Sequence, residues 1–108
     1  MQIKSIAMIP LLLAAKAYAG VDIALYQDND CGLPIPGTGQ TYVQSGTCND
    51  HLGTGWMSAR ILRTDSPAGT LTFYSPGGCH GTNKGFSAQN FDCLRNFGFV
   101  ANAAGLVG

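Results

Sequence analysis

Four cysteines, two histidines and six aspartates are the residues with chemistry to offer in this chain of 108 residues. The cysteines are Cys31, Cys48, Cys79 and Cys93, spaced C-x16-C and C-x13-C within each half of the sequence. An even count in a short chain reads as a disulfide framework. Zinc is the alternative, but no C-x2-C knuckle is present to hold it. The histidines are His51 and His80. A catalytic pair needs a nucleophile within hydrogen-bond reach of a base. Oxidised cysteines cannot serve, and Ser45, Ser58, Ser66, Ser75 and Ser87 lie in turns or strands without a nucleophile elbow. His51 beside Asp50 is adjacency, not geometry. Paired carboxylates would have to come from aspartates alone, since the chain has no glutamate, and nothing sets two of them across a cleft. The glycine-rich "PIPGTG" and "GTNKG" do not match the G-x4-G-K-[ST] sequence of a phosphate loop, and no helix follows them to receive an anion. The residues therefore point away from an enzyme, with no catalytic residue, metal or cofactor expected.

The elements that position these residues begin after the N-terminus. Met1–Ala19 has the pattern of a secretory signal peptide: Lys4, then an apolar run of about ten residues, then the small residues "AYA". Cleavage is placed before Gly20. The run is shorter than the roughly 20 residues of a membrane span; the competing reading is a buried N-terminal helix or strand. Residues 20–108 are then 108 − 19 = 89 residues, one domain. Their basic residues are Arg60, Arg63, Lys84 and Arg95, and their acids Asp22, Asp28, Asp30, Asp50, Asp65 and Asp92, so the net charge is 4 − 6 = −2. So light a charge leaves no electrostatic footprint for nucleic acid or anionic membranes. No Asn-x-Ser/Thr sequon is present.

The chain also repeats itself. "IALYQDNDCG" (Ile23 to Gly32) and "LTFYSPGGCHG" (Leu71 to Gly81) both alternate apolar residues into a tyrosine, with a cysteine five residues on. A second cysteine follows in each half, then a glycine–aromatic pair in "GWMSARIL" (Gly55 to Leu62) and "GFVANAAGL" (Gly98 to Leu106). The alternation has the period of a strand. "QTYVQS" and "MSARILR" are further strand candidates, while "CNDHL" and "SAQNFDCLRNF" are candidates for single helical turns. "TDSPAGT" (Thr64 to Thr70) is the natural junction between units of about 20–65 and 66–108. Short strands and frequent Gly/Asn/Pro turns predict an all-β sandwich of two units around one core. Trp56, Phe73, Phe86, Phe91, Phe97 and Phe99 are read as that core rather than as a ligand platform.

The repeat resembles the Greek-key unit of the βγ-crystallins, and the resemblance covers residues 20–108. That family marks its first fold-over hairpin with an aromatic, four residues, a second aromatic, one residue and a glycine. "YSPGGCHG" fits with Tyr74 and Gly81, with Cys79 in the second aromatic's place. In the first copy Tyr26 and Cys31 match, but Gly32 comes one residue early and Leu33 occupies the glycine's place. The resemblance implies a positive φ at Gly81 and a hairpin-fastening role for Ser58, with Ala101 as its counterpart. It implies calcium as the family's ligand, yet the motif falls on "GTGWMS", which lacks the oxygen ligands at Gly53, Thr54 and Met57. No crystallin-type calcium site is expected. From the duplication, one bridge inside each unit is expected, Cys31–Cys48 and Cys79–Cys93; a bridge joining the halves would count against duplicated units. Four cysteines allow three pairings, and sequence does not choose among them.

The resemblance extends to secreted relatives with disulfides, namely killer toxins, antimicrobial proteins and small cysteine-rich proteins of fungi. It implies a secreted, extracellular, monomeric protein of antimicrobial or killer-toxin-like activity that binds a cell-wall glycan or surface protein. The alternative is a fungal effector that binds a host protein or glycan. A cell-surface or matrix structural protein is a third, blander reading. Residues tied to the fold are Tyr26, Gly32, Trp56, Ser58, Tyr74, Gly81 and the four cysteines. Exposed turns at Leu33 to Gly39 and His80 to Lys84 are the candidate binding faces.

Overall fold

A computed structural model of the chain describes residues 19–37, 40–50 and 55–108. The stretch read as a signal peptide therefore lies outside the described residues except for Ala19, as do Gly39, His51, Gly53 and Thr54.

Eight strands form, and no helix is present among the described residues. They are β1 (Gly20–Tyr26), β2 (Gln40–Gln44), β3 (Cys48–Asn49), β4 (Ser58–Thr64), β5 (Thr70–Ser75), β6 (Thr82–Ser87), β7 (Cys93–Leu94) and β8 (Ala103–Val107). β1 shows how the sequence makes them. Val21, Ile23 and Leu25 point to one face and are fully buried, while Asp22 and Tyr26 on the other face are half-exposed. Leu71 and Phe73 do the same in β5. The expected single helical turns become something shorter: "SAQNFDCLRNF" holds one tight turn, Asn90 N donating to Ser87 O (3.0 Å), and then β7, while "CNDHL" opens with β3 and its last two residues lie outside the described residues. Two residues are too few to make a helix worth nucleating, and each pair instead hydrogen-bonds to the edge of an existing sheet.

The strands make two antiparallel sheets, ordered β2-β1-β4-β7 and β3-β8-β5-β6. Replacing each strand of the first half by its counterpart four strands later converts one order into the other. Each half keeps three strands and gives its third to the opposite sheet. Cys93–Leu94 pairs with Ala59 and Arg60 of β4, and Cys48–Asn49 pairs with Gly105 and Ala104 of β8.

Register fixes the equivalence of the halves residue by residue. Tyr26, Leu25 and Ile23 face Ser58, Ala59 and Ile61; Tyr74, Phe73 and Leu71 face Ala103, Ala104 and Leu106. The counterpart of Ser58 is therefore Ala103, two residues beyond the expected Ala101. The same two-residue correction shifts the glycine–aromatic alignment, making Trp56 equivalent to Ala101. These two residues pair with each other across the junction: Trp56 N donates to Ala101 O (3.0 Å), and Ala101 N donates to Trp56 O (2.8 Å). A residue that meets its own counterpart lies at the approximate two-fold axis relating the halves.

The core lies between the sheets. Trp56 meets Phe73 edge-on (centroids 5.9 Å apart), and Phe73 stacks obliquely on Phe97 (4.8 Å). Ala59, Ala88, Ala101 and Ala104 are buried around them, small enough to leave room for the rings. Phe86 and Phe99 are only partly buried at the edge of this cluster. Phe91 departs from its expected core role: it is 48% exposed. It sits outside any strand, between β6 and β7, where its carbonyl accepts a hydrogen bond from Arg60 (3.2 Å).

Candidate binding hollow between the two halves

The site begins with the turn after β1. Asp28 accepts hydrogen bonds from the amides of Gly32 (3.0 Å) and Leu33 (3.0 Å), closing the turn on its own carboxylate. The Leu33 amide bond is the main reason that the carboxyl titrates below its ordinary value of 3.8. Ser58, fully buried at the start of β4, holds the same turn from beneath. Its hydroxyl donates to Asp28 O (2.5 Å) and accepts from Cys31 N (3.0 Å).

The turn is then fastened to the second half. Cys31, at φ 56°, bonds to Cys93 at the start of β7 with a Cα–Cα distance of 6.0 Å. Asn29 and Asn96 pair reciprocally, Asn29 Nδ2 donating to Asn96 Oδ1 (2.9 Å) and Asn96 N donating to Asn29 Oδ1 (2.9 Å). Arg95 reaches Asp30 at 2.7 Å. The counterpart bridge is Cys48–Cys79, with Cys79 at φ 55°.

Both bridges therefore join the halves, and the expected pairs Cys31–Cys48 and Cys79–Cys93 do not form. The physical reason is strand exchange. Cys48 and Cys93 sit on β3 and β7, the strands that each half gives away, so each lies beside the hairpin cysteine of the other half. These bridges count against units that each close on themselves; they are compatible with two similar units only because each places its third strand in the opposite sheet.

The bridged turn and the segment after β7 border an open hollow of about 520 Å³. Asn29 and Met57 line it from the first half, and Asn96, Phe97, Gly98, Phe99 and Val100 from the second. The segment is shaped by two left-handed residues, Asn96 (φ 62°) and Gly98 (φ 87°), types that tolerate such angles. Met57 (40%) and Val100 (48%) are exposed hydrophobic residues at its mouth. No lining residue carries a formal charge. Among the described residues no cluster of three or more His, Cys, Asp or Glu is placed to hold a metal ion.

The remaining singled-out residues lie around this frame. Tyr26 and Tyr74 are half-buried at the ends of β1 and β5. Trp56 is buried at the junction. Gly81 has φ 89°, whereas neither Gly32 nor Leu33 has a positive φ; in the turn after β1 the left-handed conformation falls on Cys31, and further along the same connection on Gly37 (φ 85°). Of the proposed binding faces, Leu33, Pro34, Pro36 and Gly37 are exposed and Ile35 is buried, while His80–Lys84 is exposed throughout. Neither stretch lines the hollow. Its residues escaped sequence reading because Phe97 and Phe99 look like core positions. The available signal was "RNFGFV", an Asn-x-Gly turn followed by apolar residues without strand alternation. No family model, curated protein or solved structure matches the chain.

Proposed function

We propose that this chain is a secreted, non-enzymatic β protein that binds a target outside the producing cell, with an antimicrobial or killer-toxin-like outcome. The observation that carries the reading is the double cross-linking of the halves, together with an uncharged hollow at their junction beside the Cys31–Cys93 bridge. Disulfides persist in oxidising, extracellular settings, and a rigid site limits the entropy lost on binding. In this reading each half is a Greek-key unit of the βγ-crystallin kind. The exchanged third strands and the hold of Ser58 on the first hairpin support that assignment.

The test is growth inhibition across yeasts, filamentous fungi and bacteria, comparing oxidised protein with a reduced and alkylated control. Inhibition that disappears on reduction is expected. If folded protein harms none of them, the alternative of an effector engaging a host protein or glycan takes its place.

A further inference from the structure

We propose that the hollow is a subsite for one uncharged sugar ring of a glycan. The proposal rests on the extracellular-binding reading and names the ligand class for its site. A volume of about 520 Å³ falls within the range of about 300–1,000 Å³ typical of ligand pockets. Charge sets the first constraint. The lining is uncharged, and the nearest ion pair, Arg95–Asp30, is already closed at 2.7 Å, so a charged ligand finds no free counter-charge there.

Hydrogen-bonding capacity sets the second. Both Nδ2 protons of Asn96 are unused among the described residues, as are one Nδ2 proton and one Oδ1 lone pair of Asn29. The peptide groups of Gly98, Phe99 and Val100 also make no hydrogen bond among the described residues. An alkyl chain would desolvate these groups without replacing their bonds with water, at a cost for each. A sugar offers hydroxyls that both donate and accept. Its ring also has an apolar C–H face, suited to the half-exposed Phe99 ring and to Met57 and Val100. The reciprocal Asn29–Asn96 pair and the Cys31–Cys93 bridge hold the amides in place before binding, so little ordering is left to do.

The experiment is an NMR titration of the ¹⁵N-labelled, oxidised protein with short neutral gluco-, manno- and chito-oligosaccharides, and separately with uncharged extended peptides. At least one sugar series should shift the side-chain amides of Asn29 and Asn96 and the backbone amides of Gly98–Val100. Phe99→Ala should weaken that binding roughly tenfold. Asn96→Asp, which keeps the acceptor for Asn29 but removes the two donors, should do likewise. Leu62→Ser, which removes an exposed apolar side chain at the far end of β4, should leave it unchanged. Silence with every sugar, shifts confined to another surface, or a response to peptides alone would overturn the proposal. Growth inhibition that persists with a silent hollow would overturn the sugar subsite and leave the extracellular reading standing. Sugar binding at the hollow without harm to any microbe would support the subsite and count against the toxin outcome.

Discussion

Ser58 shows how much one hydroxyl settles. It is fully buried and satisfies two backbone groups of the turn after β1. Ser58→Ala would leave the partly buried carbonyl of Asp28 and amide of Cys31 without that partner, and should cost about 1–2 kcal/mol in denaturant unfolding. Asp28 acts on the same turn through its charge. Its folded pKa is depressed by backbone amides, so its contribution is present in full above the ordinary value of 3.8. That contribution is lost as pH falls through the lower folded value. Asp28→Asn should therefore melt below wild type at neutral pH, with the two converging in strong acid; melts run from pH 7 to pH 2 check this. Gly81 stands at φ 89° with Ser75 O 3.1 Å from where a Cβ would lie. Gly81→Ala should destabilise by about 1–2 kcal/mol, read in the same denaturant titration.

At the scale of elements, β3 and β7 matter most although each has only two residues. Two ladder pairs cannot hold a strand to a sheet, and the cysteines that open β3 and β7 supply the anchor. The Cys31–Cys93 loop spans 62 residues and the Cys48–Cys79 loop 31. Chain entropy assigns each bridge roughly 4 kcal/mol, with the longer loop ahead by about 0.6 kcal/mol. Paired Cys→Ser substitutions should rank in that order by chemical denaturation. Digestion of the oxidised protein should release Cys31 linked to Cys93 and Cys48 linked to Cys79. A peptide joining Cys31 to Cys48 would contradict the strand exchange. Arg63 of β4 lies between Asp22 (3.1 Å) and Asp65 (3.2 Å), and these carboxylates raise its already high pKa. The charges are exposed and add little to stability.

For the whole molecule, the exchange makes each half incomplete. Residues 20–65 alone would retain Val21, Ile23, Leu25, Trp56 and Ile61 with no opposing sheet, and would lack β7. Such a fragment should show no cooperative unfolding by circular dichroism and no dispersed NMR spectrum, whereas residues 20–108 should show both. The hollow likewise belongs to neither half, since Asn29 and Met57 come from one and Asn96–Val100 from the other. A binding face assembled this way exists only while the halves are docked, which ties any function located there to the oxidised state.

Much of this was legible in the chain. Strict alternation in "IALY" and "LTFY" gave β1 and β5, because a period of two leaves a strand no choice of buried face. An even cysteine count called for bridges, and a matching order of landmarks called for two similar units. Ser58 stood out through its resemblance to a hairpin-fastening serine. Pairing was not legible, because nothing local tells a two-residue strand which sheet edge it will join. That single tertiary fact moved both disulfides across the junction. It also drew Asn29 and Asn96 together from positions 67 residues apart. The serine's counterpart, Ala103 rather than Ala101, was set separately by the registers of β4 on β1 and β8 on β5. Residue types and periodicity act over a few neighbours and were determined by sequence alone; the partners of β3 and β7, and the hollow between the halves, depend on contacts that exist only once both sheets have formed.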